Sequence, residues 1–217
     1  RDGWKVLTVA RGPMPTDIVV ASHIQADLST EAGIESTCKQ AADLCDSLDL
    51  LVNNAGAIDE HEEWADVSPS VMISSFLLHA VAPLMLTRAL APALTASKRG
   101  AVINVGTIYS RIPDTEIVAY GPSKAAQEYV TRVSALQLAP DVRVNAVAPG
   151  HVRTQMTLSA PEEFLSGVMA SIPLGSMEST DEVVSAIRFL GDRGARAITG
   201  TTVVIDGGYT NATRSSW

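Results

Sequence analysis

Short apolar runs of strand character alternate with longer helical stretches along this chain, and that alternation limits the folds open to it more than any other feature. Leu48 to Val52 is apolar apart from Asp49 and ends in Asn53-Asn54-Ala55-Gly56; Ala101 to Val105, Val142 to Val147 and Thr201 to Ile205 repeat the pattern. Strands apolar on both faces belong inside a parallel sheet covered by helices. Lys5 to Ala10 and Ile18 to Ala26 are further β-rich runs, joined by the loop Arg11-Gly12-Pro13-Met14-Pro15. Ser29 is placed to N-cap a helix reaching about Ser47, with Ile34, Cys38, Ala41, Ala42 and Cys45 at helical spacing. Helical patterns also cover 69–96, Tyr120 to about Leu138, and Thr180 to about Leu190. Strand, helix, strand, helix predicts one doubly wound α/β domain over residues 1–217, a mostly parallel sheet within a three-layer α/β/α sandwich.

The net charge of -8 and the lack of any Lys/Arg cluster exclude a surface for nucleic acid. Cys38 and Cys45, seven residues apart on one predicted helix, are too far separated for a disulfide. They read as buried free thiols of a reducing, cytoplasmic setting, and they have no His or Cys partner at metal-ligand spacing. His79, Pro83, Arg88 and Pro92 interrupt the apolar stretch 71–94, so no run reaches the roughly 18 residues of a membrane span. The chain opens on Arg1-Asp2-Gly3-Trp4 rather than on Met, in what resembles the end of a helix.

Tyr120-Gly121-Pro122-Ser123-Lys124 sets a phenol and an ammonium one above the other on a helix face. A cation about 4 Å from the phenol, at an effective dielectric of about 20, contributes ~4 kcal/mol, or roughly three pKa units. On that estimate Lys124 brings Tyr120 toward neutrality as a proton donor and acceptor. An exposed Tyr and Lys on a solvated face satisfy the same spacing, so the surroundings must decide. Ligands of doubly wound sheets bind outside the carboxyl ends of the strands. Asn53, Thr107 and Pro149 each follow a predicted strand end, which gathers them on one edge with Tyr120 and Lys124.

From about Trp4 to about Tyr209 the chain resembles the short-chain dehydrogenase/reductase family. The resemblance is carried by Asn53-Asn54-Ala55-Gly56, by Tyr120 and Lys124, by Pro149-Gly150 with Thr154, by Asp27-Leu28, and by Asp206-Gly207-Gly208. It implies a Rossmann-like fold and an oxidoreductase that interconverts a carbonyl and a secondary alcohol. Tyr120 is then the general acid/base, and Lys124 its electrostatic activator and a holder of the nicotinamide ribose. Asn53, Asn54, Ala55 and Gly56 line the cofactor cleft, Asp27 and Leu28 lie by the adenine, and Thr154 takes the carboxamide beside Pro149 and Gly150. The family's substrate-orienting Ser, thirteen residues before the Tyr, is Thr107 here. The resemblance further implies a homodimer or homotetramer built through 69–96, 119–138 and the last strand.

Several positions depart from the family. Thr107 keeps a hydroxyl but adds a methyl group and stiffens χ1. The family's relay Asn falls on His79, which is either a proton relay titrating near 6.5 or a hydrogen-bonded core histidine. His151 is a candidate substrate contact or a surface-loop residue; Thr107, Tyr109 and Met156 complete the expected substrate set. Arg11, at the end of its strand, favours the 2′-phosphate of NADP, or is simply a solvated loop arginine. The segment 151–178 resembles the family's substrate lid, and its apolar Met156, Leu158, Phe164, Leu165, Val168 and Met169 suggest a lipophilic small-molecule substrate or ordinary packing.

The glycine-rich Thr-Gly-x-x-x-Gly-x-Gly turn that seats the pyrophosphate is not found in the 217 residues. Its place is ahead of Arg1, together with the first strand and most of the first helix. Two expectations compete: the turn belongs to a longer gene product, or it has been lost and the sheet repaired. In the first case the cofactor is NADP(H). In the second there is none, and Tyr120 and Lys124 serve a dehydratase, isomerase or cyclase, or the fold persists as a binding protein.

Overall fold

The computed structural model describes residues 3–14, 19–158 and 161–212, without the side chains of Gln155 and Met156. The described strands are β1 Leu7–Ala10, β2 Ser22–Gln25, β3 Leu50–Asn53, β4 Ala101–Val105, β5 Arg143–Pro149 and β6 Thr202–Ile205. All pair in parallel. β3, β4, β5 and β6 form one sheet in that order, with Leu50 opposite Ala101, Ala101 opposite Arg143 and Ala146 opposite Thr202. β1 and β2 form a separate pair, Leu7 opposite Ser22. The helices are α1 Glu31–Leu44, α2 Pro69–Phe76, α3 Ala82–Ala96, α4 Tyr120–Leu138, α5 Gln155–Leu158, α6 Glu162–Ser171, α7 Thr180–Gly191 and α8 Tyr209–Ala212.

The period-two geometry of the strands divides their side chains between two helical layers. Val102 and Val144 pack with Ala41 of α1, Leu90 and Leu94 of α3 and Ala135 of α4. Ile103 and Val147 point the other way, onto Val183 and Leu190 of α7. The three-layer α/β/α architecture and mostly parallel sheet follow from this two-sided apolarity, as expected.

Among the described residues no ladder joins β1 to β3, which leaves a slot without backbone pairing between the two sheets. Val52 on β3 is 37% exposed, whereas Ile103, its register partner on β4, has no exposed surface. The apolar layer nevertheless continues across the slot, because Leu7, Val9 and Leu51 pack against one cluster containing Ile24, Leu90 and Leu94. Burial on one face keeps the halves together where backbone pairing does not.

Local chemistry moved several boundaries. Thr30, not Ser29, caps α1 by accepting from Gly33 N–H at 3.1 Å. Ser29 instead donates both its N–H and its hydroxyl to the Asp27 carboxylate, at 2.9 and 2.6 Å. Cys38 and Cys45 are half-buried free thiols rather than fully buried ones.

The helix expected over 69–96 runs on through the proline inside it. Pro83 has no N–H to give to a carbonyl one turn back. The chain absorbs this in a π turn over Leu77–Val81, where Ala82 N–H bonds to Leu77 O, and helix continues from Pro69 through Ala96. That run is long and apolar enough to cross a membrane by length and composition. Its Leu86, Leu90 and Leu94 are spent on the core beneath the strands, as in any core helix.

Candidate active site

The carboxyl ends of β3, β4 and β5 converge with the first turn of α4, and Tyr120 is the first residue of that helix. Its ring packs edge-on against His79 with centroids 5.2 Å apart, and the Thr107 hydroxyl lies near enough to its phenol to favour the phenolate. Lys124 lies one turn along, its Nζ 5.7 Å from the Tyr120 ring centroid, and donates to Val105 O at 2.7 Å. The helical spacing therefore does bring the pair together, and burial rather than solvent surrounds it: Lys124 is 2% exposed.

Burial also reverses the expected electrostatics. It raises the Tyr120 phenol above its usual range; the Thr107 hydroxyl works against this and the nearby Glu62 charge adds to it. Lys124 itself is pushed down to about 8 by burial. The sequence estimate omitted desolvation, which disfavours the phenolate and the ammonium alike. Tyr120 is thus a phenol that stays protonated well above neutrality.

His79 sits on the π turn with no exposed surface. Ala57 N–H donates to its Nε2 at 3.3 Å, so the ring proton lies on Nδ1 and is given to Ser123 Oγ at 2.8 Å. Ser123 in turn donates to Tyr120 O at 2.7 Å. Burial, with the Lys124 charge second, holds the imidazole down at about 3. Of the two alternatives left by the sequence, the geometry matches the hydrogen-bonded core histidine. The titration near 6.5 is lost.

The remaining candidates take distinct positions. Asn53 is buried, donating to Asn104 Oδ1 at 2.7 Å, and Asn104 donates to Thr131 Oγ1 at 2.8 Å, so the pair ties β3 to β4 and α4. Asn54, Ala55 and Gly56 form an exposed lip above it. A methyl group added at Gly56 would lie 3.5 Å from His79 Nε2 and 3.6 Å from Lys124 Nζ, so the lip rests directly over the pair. Leu28 is a core residue, packed with Ile34, Ala82 and Leu86. Asp27 and Arg11 lie just beyond the ends of β2 and β1; hydrogen bonds from Ser29, helped by the Arg11 charge, hold the Asp27 carboxyl below its usual range. Thr154 accepts from Thr157 N–H at 3.2 Å as the cap of α5.

On the opposite flank, Tyr109 O–H bonds to His151 Nε2 across 3.1 Å, and the Tyr209 ring lies 4.9 Å from His151. Burial takes Tyr109 up to about 12 and His151 below its usual range, so a neutral phenol meets a neutral imidazole there. Gly207 and Gly208, both at positive φ, turn the chain after β6 to present Tyr209, while Asp206 accepts from Gly208 and Thr210 N–H. Gly150 sits tightly: a Cβ there would lie 3.0 Å from Asp206 Cβ. The Met156 side chain lies outside the described residues.

Two residues of the site were missed from the sequence. Ser123 had a signal, since position i+3 from Tyr120 is close enough to bond back to its carbonyl. Glu62 had none. It is one acidic residue among Asp59, Glu60 and Glu63, yet it is 1% exposed and accepts the Tyr120 N–H at 2.7 Å.

Residues 7–210 match a family model described as Enoyl-(Acyl carrier protein) reductase. The chain is 36% identical to Protein FixR of Bradyrhizobium diazoefficiens, covering 95% of this chain and 78% of that protein. It is 30% identical to the 3-oxoacyl-(acyl-carrier-protein) reductase FabG of Vibrio cholerae, over 84% of this chain and 75% of the relative. Among solved structures, a 4-hydroxyisoleucine dehydrogenase complexed with NADH superposes with a TM-score of 0.86 at 28% identity, covering 96% of this chain and 89% of the other. With the family model matched over nearly the whole chain, on a parallel α/β/α fold whose strand ends gather a Tyr, a Lys and a hydroxyl, the protein belongs to the short-chain dehydrogenase/reductase family of carbonyl/alcohol oxidoreductases.

Proposed function

We propose that the protein interconverts a carbonyl and a secondary alcohol using NADP(H), with Tyr120 as the acid and base. The observation that carries this reading is the partly buried Tyr120 phenol beside the buried Thr107 hydroxyl and Lys124 ammonium at the strand ends. In the reducing direction the Thr107 hydroxyl orients the carbonyl oxygen, and Tyr120 O–H gives that oxygen a proton. The resulting phenolate is held by Thr107 and by the Lys124 charge until a solvent proton restores it. The hydride for the carbonyl carbon is what the nicotinamide supplies when bound. His79 and Ser123 keep the first turn of α4 in register; neither changes charge near neutral pH.

The residues present fit the nicotinamide ribose of such a cofactor. Gly56 carries no side chain over Lys124 Nζ, and Asn54 to Gly56 leave an exposed lip beside that ammonium. Lys124 would hold the ribose, and Thr154, next to Pro149 and Gly150, the carboxamide. Arg11, exposed beside Asp27, would pair with the 2′-phosphate.

Fluorescence titration of the full-length protein is expected to show NADPH binding more tightly than NADH. Arg11→Ala should weaken NADPH roughly 10- to 100-fold, the size of one charge-assisted contact, with NADH little changed. Preference for NADH would remove the Arg11 assignment only. Turnover of a carbonyl panel with neither nicotinamide would overturn the redox reading in favour of proton chemistry alone.

The segment 151–178 supports a substrate-lid role within a single domain. Val168, Ile172 and Met177 anchor it with Leu165 and Tyr209, while Leu158, Phe164 and Met169 stay exposed, which favours a lipophilic small-molecule substrate. A groove of about 580 Å³ lined by Trp64, Ile112, Ile117, Val118 and Pro122 lies nearby. Tyr120 does not line it, so it is not assigned to substrate.

Exposed Ile73, Tyr129, Val133 and Leu136 on α2 and α4, with Phe189 and Val203 on α7 and β6, favour a homodimer or homotetramer. Size-exclusion chromatography with light scattering should show the assembly, and a monomer at micromolar concentration would contradict it.

A further inference from the structure

The loop between β3 and α2 carries Asp59, Glu60, Glu62 and Glu63, and Glu62 alone of these is buried. A carboxylate without solvent is expensive unless donors surround it. Three do. Asp59 N–H at 3.0 Å and Ser75 O–H at 3.3 Å donate to Oε1, and Tyr120 N–H at 2.7 Å donates to Oε2. The backbone joins in: Val118 N–H donates to Glu62 O at 3.1 Å, and Trp64 N–H to Thr115 O at 3.0 Å.

The beneficiary is the start of α4. A helix leaves its first N–H groups unpaired, and an adjacent Ser, Thr, Asp or Asn normally serves them. Here the N-cap residue is Ala119, which has no side-chain acceptor. Glu62 performs that task from a different segment, and a negative charge is favoured at this end of the helix dipole. The N–H it takes is that of Tyr120.

We propose that Glu62 is a positioning residue for the reaction: by capping α4 at the Tyr120 N–H, its carboxylate fixes the Tyr120 phenol against Thr107 and sets the charge that phenol faces. This rests on the reading of Tyr120 as the acid. The titratable groups around the phenol are Lys124 on its own helix, His79 on the π turn, Tyr109 on the loop after β4 and Glu62 on the loop after β3, with Asp59 behind Glu62. Of these Glu62 is the one whose charge opposes formation of the phenolate.

Glu62→Gln, in the full-length protein, is the test. The amide keeps the size of the side chain but not its charge, and its NH₂ cannot accept from a backbone N–H. The near-ultraviolet tyrosinate signal of Tyr120, identified by its loss in Tyr120→Phe, is expected to shift to lower pH in Glu62→Gln. Carbonyl reduction should fall about tenfold in kcat with KM changed less than twofold, and Glu62→Asp should recover part of the loss. A folded Glu62→Gln whose Tyr120 titrates as in the wild type would overturn the proposal.

If Glu62→Gln does not fold, the wild type decides. Among its four tyrosine amides, followed by selective ¹⁵N labelling, the Tyr120 amide is expected downfield and slow to exchange with solvent. Fast exchange would overturn the cap. The spectroscopic readouts need no turnover, so an inactive protein with a capped, shifted Tyr120 would count against the catalytic reading and not against the role of Glu62 in placing the phenol.

Discussion

Tyr120→Phe is expected to lower kcat for carbonyl reduction by roughly 10²- to 10⁴-fold, the usual worth of a positioned general acid. The ring would remain against His79, and the structural loss would be confined to the polar contact of the phenol with Thr107, at most about 1 kcal/mol. Thermal unfolding should therefore move little while activity collapses. The pH profile adds a second signature. Burial keeps the phenol protonated far above neutrality, so the wild type should hold its proton donor across the physiological range. Lys124, pushed down to about 8, loses its charge first, and reduction should decline as pH rises through that value. A stopped pH series of single-turnover rates checks both; a Tyr120→Phe enzyme within tenfold of wild type would end the assignment of Tyr120 as the acid.

The second large effect concerns acid stability. His79 is neutral in the fold, with Nε2 accepting and Nδ1 donating, and is held at about 3 against 6.5 for a free imidazole. Between those values the unfolded chain binds a proton that the native protein refuses. Its contribution is fully present above about pH 6.5, declines as pH falls, and is gone below the folded value. At about pH 3.5 the accumulated loss is roughly 4 kcal/mol, a large share of the stability of an ordinary domain. Urea unfolding at pH 7 and pH 4 should show wild-type stability falling steeply and His79→Asn stability falling less. The comparison matters because Asp27 and Asp49, both held below the usual carboxyl range, add acid losses of their own in both proteins. Equal slopes would show that His79 does not carry the effect.

Particular residues show how far the sequence could be read. Val102, Ile103, Val144 and Val147 announced a sheet covered on both faces because an alternating strand cannot hide apolar groups on two sides otherwise. Tyr120 and Lys124 were legible because helical spacing is local. By contrast, the helical pattern over 69–96 gave no sign of how Pro83 is accommodated, which is by the π turn at Leu77–Val81. Ser29 and Thr30 are equally good caps on paper, and the Asp27 carboxylate claimed the first and left the second. Asn53 and Leu28 were read only for a cofactor cleft, and the contacts they also make, to Asn104 and within the core, were not legible.

What the sequence determined alone is whatever depends on neighbours a few residues away: the order of strands and helices, their apolar faces, and the Tyr-x-x-x-Lys spacing that points to acid/base chemistry. The tertiary structure decided the charges. Glu62 meets Tyr120 across a sequence separation of 58, His79 meets Ser123 across 44, and Thr107 acts on the phenol from a separate loop. The sign of the Tyr120 shift turned on the same point: a helical repeat specifies which groups are adjacent, but desolvation depends on everything packed around them, and that exists only once the chain has folded.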